Sequence, residues 1–160
     1  MDRILGIIYG WFESIYGASL TDYLWGYNCD TQTYDNPNLF NSIGLVTLSV
    51  VLSVVLLYYY VINHPRLNRA RHWFLFLLIA SVVSFLIAYY WVSVDYNTGI
   101  IPDCLIYTRD EQGAILSQLM FSADLGQFGI ANALVSALEF IVFSFIFKWG
   151  SSNCKHSPVL

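Results

Sequence analysis

Two long runs without a single charge dominate this sequence. Residues 43–62 and 73–94 contain no Asp, Glu, Lys or Arg. Each run is roughly 20 residues, and at a rise of ~1.5 Å per residue that length crosses the roughly 30 Å hydrocarbon layer of a bilayer. Buried helices of a soluble core rarely go so far without a charge. A third run, 128–147, is as apolar, and its notable interior polar positions are Asn132, Ser136 and Glu139.

Composition agrees with lipid as the solvent. The chain is 57% hydrophobic and only 11% charged, whereas a soluble domain averages about 25% charged residues. So few charges cannot cover a water-exposed surface, which argues against a soluble enzyme and against a disordered chain. The formal net charge of −4, with seven Lys and Arg scattered along the chain, supplies no basic stripe for a nucleic acid. The expectation is an all-α integral membrane protein, with residues 1–160 forming a single membrane domain.

The bundle is expected to hold three or four transmembrane helices, and residues 4–25 decide the number. This segment is apolar and aromatic but carries Glu13 and Asp22. An amphipathic helix lying on a membrane normally turns Lys and Arg toward the headgroups. Here the polar face reads Gly6, Gly10, Glu13, Gly17 and Thr21, and is small rather than basic. Gly6 and Gly10 form a GxxxG pair, a spacing that lets helix backbones approach closely in lipid. A fourth spanning helix is therefore preferred, with an interfacial or re-entrant segment as the alternative. The segment makes a poor signal peptide, because Glu13 interrupts the apolar run and Tyr16 occupies a position near the candidate cleavage site where a small residue is wanted.

Charge orients the bundle. The loop 63–72 contains Arg66, Arg69 and Arg71 and no acid, and the tail 148–160 adds Lys148 and Lys155, again with no acid. Short loops rich in Lys and Arg stay in the cytoplasm. The loops 26–42 and 95–127 hold Asp30, Asp35, Asp95, Asp103, Asp110, Glu111 and Asp124 against Arg109 alone, and are expected outside. The expected home is a plasma membrane or a bacterial inner membrane, with the C-terminus cytoplasmic. The three arginines could also meet an anionic lipid or a cytosolic partner, although setting topology suffices to explain them.

Within the outer loops, Asp35-Asn36-Pro37-Asn38 marks a turn. The apolar positions Ala114, Ile115, Leu116, Leu119, Met120 and Phe121 predict a short amphipathic helix ending near Gly126. Cys29 and Cys104 fall one in each outer loop, in a compartment that permits a disulfide. The alternative is two free thiols. Cys154, in the inner tail, is expected to be reduced.

Glu139 is the residue with the most chemical meaning. A carboxylate midway along a spanning helix is costly unless it is paired, hydrated or protonated. Asn132, Ser136 and Glu139 follow at i, i+4 and i+7 and so share a face, beside a small-residue row of Gly129, Ala133 and Ala137. These polar positions, with Glu13 at similar depth if residues 4–25 span, could line a hydrated cation or proton path. The favoured reading of these positions is an interhelical hydrogen-bond knot, with Glu139 neutral or bonded to a Ser or Tyr. Ser49 and Ser53, and Ser81 and Ser84, are first of all packing positions.

Enzymatic chemistry is not expected. The histidines lie outside the apolar runs, ligand clusters with metal spacing are missing, and no Gly-rich phosphate loop occurs. No cofactor is implied. In layout, two hairpins with inner ends and an outer amphipathic helix, the chain resembles the quinone-linked disulfide-generating membrane oxidoreductases. Those relay electrons through cysteine pairs in the outer loops, one of them a CxxC. The single cysteine per loop here removes that activity. The expected function is an oligomeric pore or ion channel lined by polar positions of the last helix or of the first, preferred because of Glu139; the alternative is a non-conducting scaffold or anchor of a larger envelope assembly serving secretion, motility or defence. Either way the partners are the lipid bilayer and further copies or other membrane subunits.

Overall fold

A computed structural model describes residues 4–62, 69–110 and 112–151. Three helices are long and apolar enough to cross a membrane, over Leu39–Ile62, Ala70–Asn97 and Ser122–Gly150. The first comprises α4 (Leu39–Leu56) and a π-helical continuation (Leu57–Ile62), the second is α5 (Ala70–Asn97), and the third is α7 (Ser122–Phe147) closed by a 3₁₀ turn. Each begins three to six residues before its apolar run, and local caps start α4 and α7. The Asn38 side chain accepts from the Asn41 N–H at 3.3 Å at the head of α4. The Asp124 carboxylate accepts from the Phe121 N–H at 2.7 Å at the head of α7, where an acid also meets the positive end of the helix dipole.

α5 packs mainly on α7, through a stripe of Ala80, Ser84, Ala88 and Val92 that recurs every fourth residue and is buried throughout. Against it sits Gly129, whose missing side chain leaves room for Phe85 and Tyr89. Ala133 and Ala137 continue the row into an apolar groove of about 310 Å³ between α5 and α7. At the basic end, the π-helical turn accompanies burial of both Tyr58 and Tyr59, with Tyr58 against Phe76 at 5.0 Å. Of the three consecutive tyrosines 58–60, only Tyr60 is exposed.

The single continuous helix preferred over residues 4–25 does not form. Residues 4–25 make three short helices, α1 (Ile4–Gly10), α2 (Glu13–Tyr16) and α3 (Ala18–Trp25). Gly17, at φ +87° and ψ 156°, breaks the path between α2 and α3 in a region open essentially to glycine. The fragments pack as a wedge against α4 and α7 near the end where the acidic loops gather. Gly6 does not meet a neighbouring long helix; it lies under Trp25 of the same segment, and nothing packs on Gly10.

The loop helix expected over 114–126 is also replaced. A helical turn, α6 (Asp103–Ile106), leads into a hairpin in which β1 (Tyr107–Arg109) pairs antiparallel with β2 (Ile115–Gln118). The reason is a turn signal stronger than the apolar pattern. The Asp110 carboxylate accepts from the backbone N–H groups of Gln112 and Ala114 at 3.0 and 2.8 Å, and Gly113 takes φ +83°. That reverses the chain and gives the backbone of 115–118 a strand to pair with. Arg109 adds an exposed ion pair to Asp103 at 3.0 Å, of a kind contributing at most about 1 kcal/mol.

Gly26 closes α3 in the left-handed conformation, φ +86°. The Tyr27 N–H reaches back to the Asp22 carbonyl and the Gly26 N–H to the Tyr23 carbonyl, both at 2.9 Å, which is the Schellman termination. A β-carbon here would also collide with the Asn36 carbonyl. Gly26→Ala is therefore expected to destabilise the fold by about 1–3 kcal/mol, measured as a shift in the unfolding midpoint in micelles. An unchanged midpoint would show that this turn is not held as described.

Candidate functional site: a buried polar node and an isolated carboxylate

The polar positions of α7 converge with residues from three other elements. α4 and α7 run in the same direction and α5 against them, so Thr47, Ser84 and Asn132 lie at one level. The Asn132 amide donates to the Ser84 carbonyl at 2.7 Å and to the Thr47 hydroxyl at 3.0 Å, and its carbonyl oxygen accepts a hydrogen bond from the Tyr9 hydroxyl. Tyr9, Thr47, Ser84 and Asn132 are all buried. One side chain thus joins α1, α4, α5 and α7.

Tyr16 extends the node by donating from its hydroxyl to the Tyr9 carbonyl at 2.9 Å. Toward the acidic end, Tyr9 stacks on Phe40 with centroids 5.3 Å apart, and Tyr16 meets Phe128 edge-on at 5.3 Å. Higher still, the Tyr23 hydroxyl donates to the Asp95 carboxylate at 2.9 Å, so Asp95 is bonded inside the fold rather than displayed on a loop. Toward the basic end the node meets a second cluster of Val51, Val55, Tyr58, Tyr59, Ala80 and Phe140. There the Trp73 indole donates to the Ser144 hydroxyl at 3.0 Å.

The expected polar row therefore divides. Asn132 is fully engaged. Ser136 is buried but bonds back to the Ala133 carbonyl of its own helix at 2.8 Å. Glu139 is half-buried, and its Oε2 atom is enclosed without a hydrogen-bond partner. Glu13 is exposed on α2, beside Gly10, Trp11, Ser14 and Gly17, and does not join Glu139. Ser49 and Ser53 lie on the outer surface of α4 and bond to carbonyls one turn back at 2.8 Å. Arg69 and Arg71 are exposed at the start of α5, while Arg66, Lys155 and Cys154 lie outside the described residues.

Tyr9 and Thr47 are the members that sequence reasoning missed. Thr47 lies eight residues into α4 and Asn132 ten residues into α7. That similar depth from a shared end was the available signal.

At the acidic end Cys29 and Cys104 lie at disulfide distance, with Cα atoms 6.4 Å apart. Beside them a crevice of about 310 Å³ is walled by Tyr23, Tyr27 and Pro37 on one side and by Ile100 and Pro102 on the other. The first loop is ordered by its own side chains. The hydroxyls of Thr31 and Thr33 donate to the Asp35 carboxylate and hold its pKa below the usual carboxylate value. The Tyr34 hydroxyl donates to Asp22 at 2.7 Å, and because that bond requires the phenol proton, the Tyr34 pKa is raised.

No known protein family, curated protein or solved structure matches this chain.

Functional reading therefore rests on the geometry. Among the described residues no three His, Cys, Asp or Glu side chains converge as metal ligands would. What the interior offers is a four-way hydrogen-bond knot and, about 10 Å further along α7 by helical rise, one carboxylate without a partner.

Proposed function

We propose that this chain is an integral membrane protein with three spans that acts as a non-conducting scaffold or anchor subunit of a larger envelope assembly. The observation carrying this reading is the closed state of the interior. The polar node that joins four of the helices has the Asn132 amide fully bonded, with rings of Tyr9, Tyr16, Phe40 and Phe128 on one side and Val51, Val55 and Phe140 on the other. A conducting protomer needs a hydrated route past these side chains. Placing the arginine-bearing end in the cytoplasm follows from the short-loop charge rule. The acidic loops, the Cys29–Cys104 pair and the wedge of residues 4–25 then face the opposite side, where a disulfide persists. The membrane is a plasma membrane or a bacterial inner membrane. Docking uses the ends and the apolar flanks, with further copies or other membrane subunits as partners, and no catalytic step is assigned.

One observation favours the second reading, an oligomeric pore. Glu139 carries a buried oxygen with no partner, and a path between copies could hydrate it. Ion flux from dye-loaded liposomes separates the two. Purified protein is expected to leave the vesicles sealed. Conductance that falls in Glu139→Gln would overturn the scaffold reading in favour of the pore.

A further inference from the structure

The face of α7 that holds Asn132 is covered unevenly. Leu125, Phe128, Asn132, Ser136 and Glu139 lie on one side of the helix, and Asn132 and Glu139 are seven residues apart, almost two full turns. Toward the acidic end the wedge covers this face, through Tyr16 on Phe128 and Tyr9 on Asn132. Toward the basic end it does not. The apolar cluster there draws on α4, its π-helical continuation, α5 and α7, and contains nothing from residues 4–25.

Glu139 lies beyond the wedge, half-buried and with its Oε2 atom enclosed. Counting the same seven residues on from Thr47 and back from Ser84 sets it level with Val54 and Leu77, both apolar and only partly buried. Neither offers a hydrogen bond. Among the described residues the cations nearest this level are at the basic end. Arg71 stands six residues beyond Leu77 and Lys148 nine beyond Glu139, so that they sit about 9 to 14 Å away along the axes. No hydrogen bond or ion pair joins either of them to Glu139. A carboxylate at such depth in lipid is expensive unless a complementary group reaches it, and none of the described residues supplies one.

We infer that Glu139 is the docking point for a transmembrane helix of a partner subunit that carries a lysine or arginine near its middle. The partner helix lies along α7 below the wedge and completes the side that the broken N-terminal segment leaves open. Its cation pairs with the carboxylate, and its apolar flanks meet Val54 and Leu77. This deepens the scaffold reading and rests on it, since an anchor subunit needs a recognition element inside the bilayer as well as at its ends.

The test uses the full chain in phosphatidylcholine vesicles and a synthetic Leu/Ala helix of bilayer-spanning length with one central lysine. Association is read by energy transfer between labels on the peptide and on the protein. The lysine peptide is expected to bind about tenfold or more tightly than its leucine counterpart. Glu139→Gln is expected to abolish the preference while keeping the unfolding midpoint and the loop disulfide. Glu139→Lys is expected to transfer it to a peptide with a central glutamate. Equal binding of the lysine and leucine peptides, or a lysine preference that survives Glu139→Gln, would overturn the inference and leave lipid alone on this face. The flux assay is independent. Leaky vesicles with the lysine preference intact sink the scaffold reading only, whereas sealed vesicles without the preference sink the docking point only.

Discussion

Asn132→Leu is expected to destabilise the folded chain by about 3 kcal/mol, an effect dominated by the groups left behind rather than by the bonds removed. The leucine strands two buried hydroxyls, Tyr9 and Thr47, inside a site closed by aromatic rings. Each unsatisfied buried group costs about 1–3 kcal/mol in general, and interhelical bonds measured in membranes average nearer 0.6 kcal/mol because the unfolded state also finds partners. The node lies above that average, since four elements meet at one side chain. Tyr9→Phe removes one donor and leaves the Thr47 and Ser84 bonds standing, so its expected cost is about 1 kcal/mol. Unfolding in mixed micelles measures both. Combining them is expected to cost clearly less than the sum, because both act on one network. A loss below about 1 kcal/mol for Asn132→Leu would mean that the node does not fasten the wedge to the long helices.

The second large effect concerns the loops. Cys29 and Cys104 are separated by 75 residues, and in the chain-entropy account closing a loop of that size restrains the unfolded state by about 4 kcal/mol. That figure is an upper bound here. Helices retained in lipid already limit how far the loops separate, so the measured loss for Cys29→Ser is expected to be smaller, about 2–3 kcal/mol. The bridge joins the two sides of the crevice at the acidic end, and its loss is expected to raise hydrogen exchange in both loops while leaving α5 and α7 unchanged. Non-reducing gels provide the direct check, since the wild type is expected to run faster than Cys29→Ser. Identical mobility and identical exchange would mean two free thiols.

Both effects join residues distant in the chain, and this separates what was readable in the sequence from what was not. The division of Asn132 from Glu139 is an example. Their spacing puts them on one face, and no feature of residues 122–147 says that one would be fully bonded and the other left without a partner. The outcome depends on where the wedge stops. Glu13 shows the same dependence, because its depth beside Glu139 required residues 4–25 to be one straight helix. The loop hairpin differs in kind. Asp110 and Gly113 form a turn by local bonds, and the backbone follows that turn rather than the apolar positions from Ala114 onward.

The sequence by itself determined the three long apolar helices, the opposed basic and acidic ends, and the placement of one cysteine in each acidic loop. These features are local. An uncharged run satisfies its own backbone by i to i−4 hydrogen bonds wherever it is buried, and charge can be counted loop by loop. Tertiary structure decided the rest, namely the break at Gly17 that divides residues 4–25 into a wedge of short helices, the joining of Tyr9 to Asn132 across 123 residues and of Thr47 to Asn132 across 85, and the Oε2 atom of Glu139 enclosed without a partner. Each of these is settled by competition among distant groups for the same space and the same hydrogen-bonding atoms, and that competition arises only when the chain has packed.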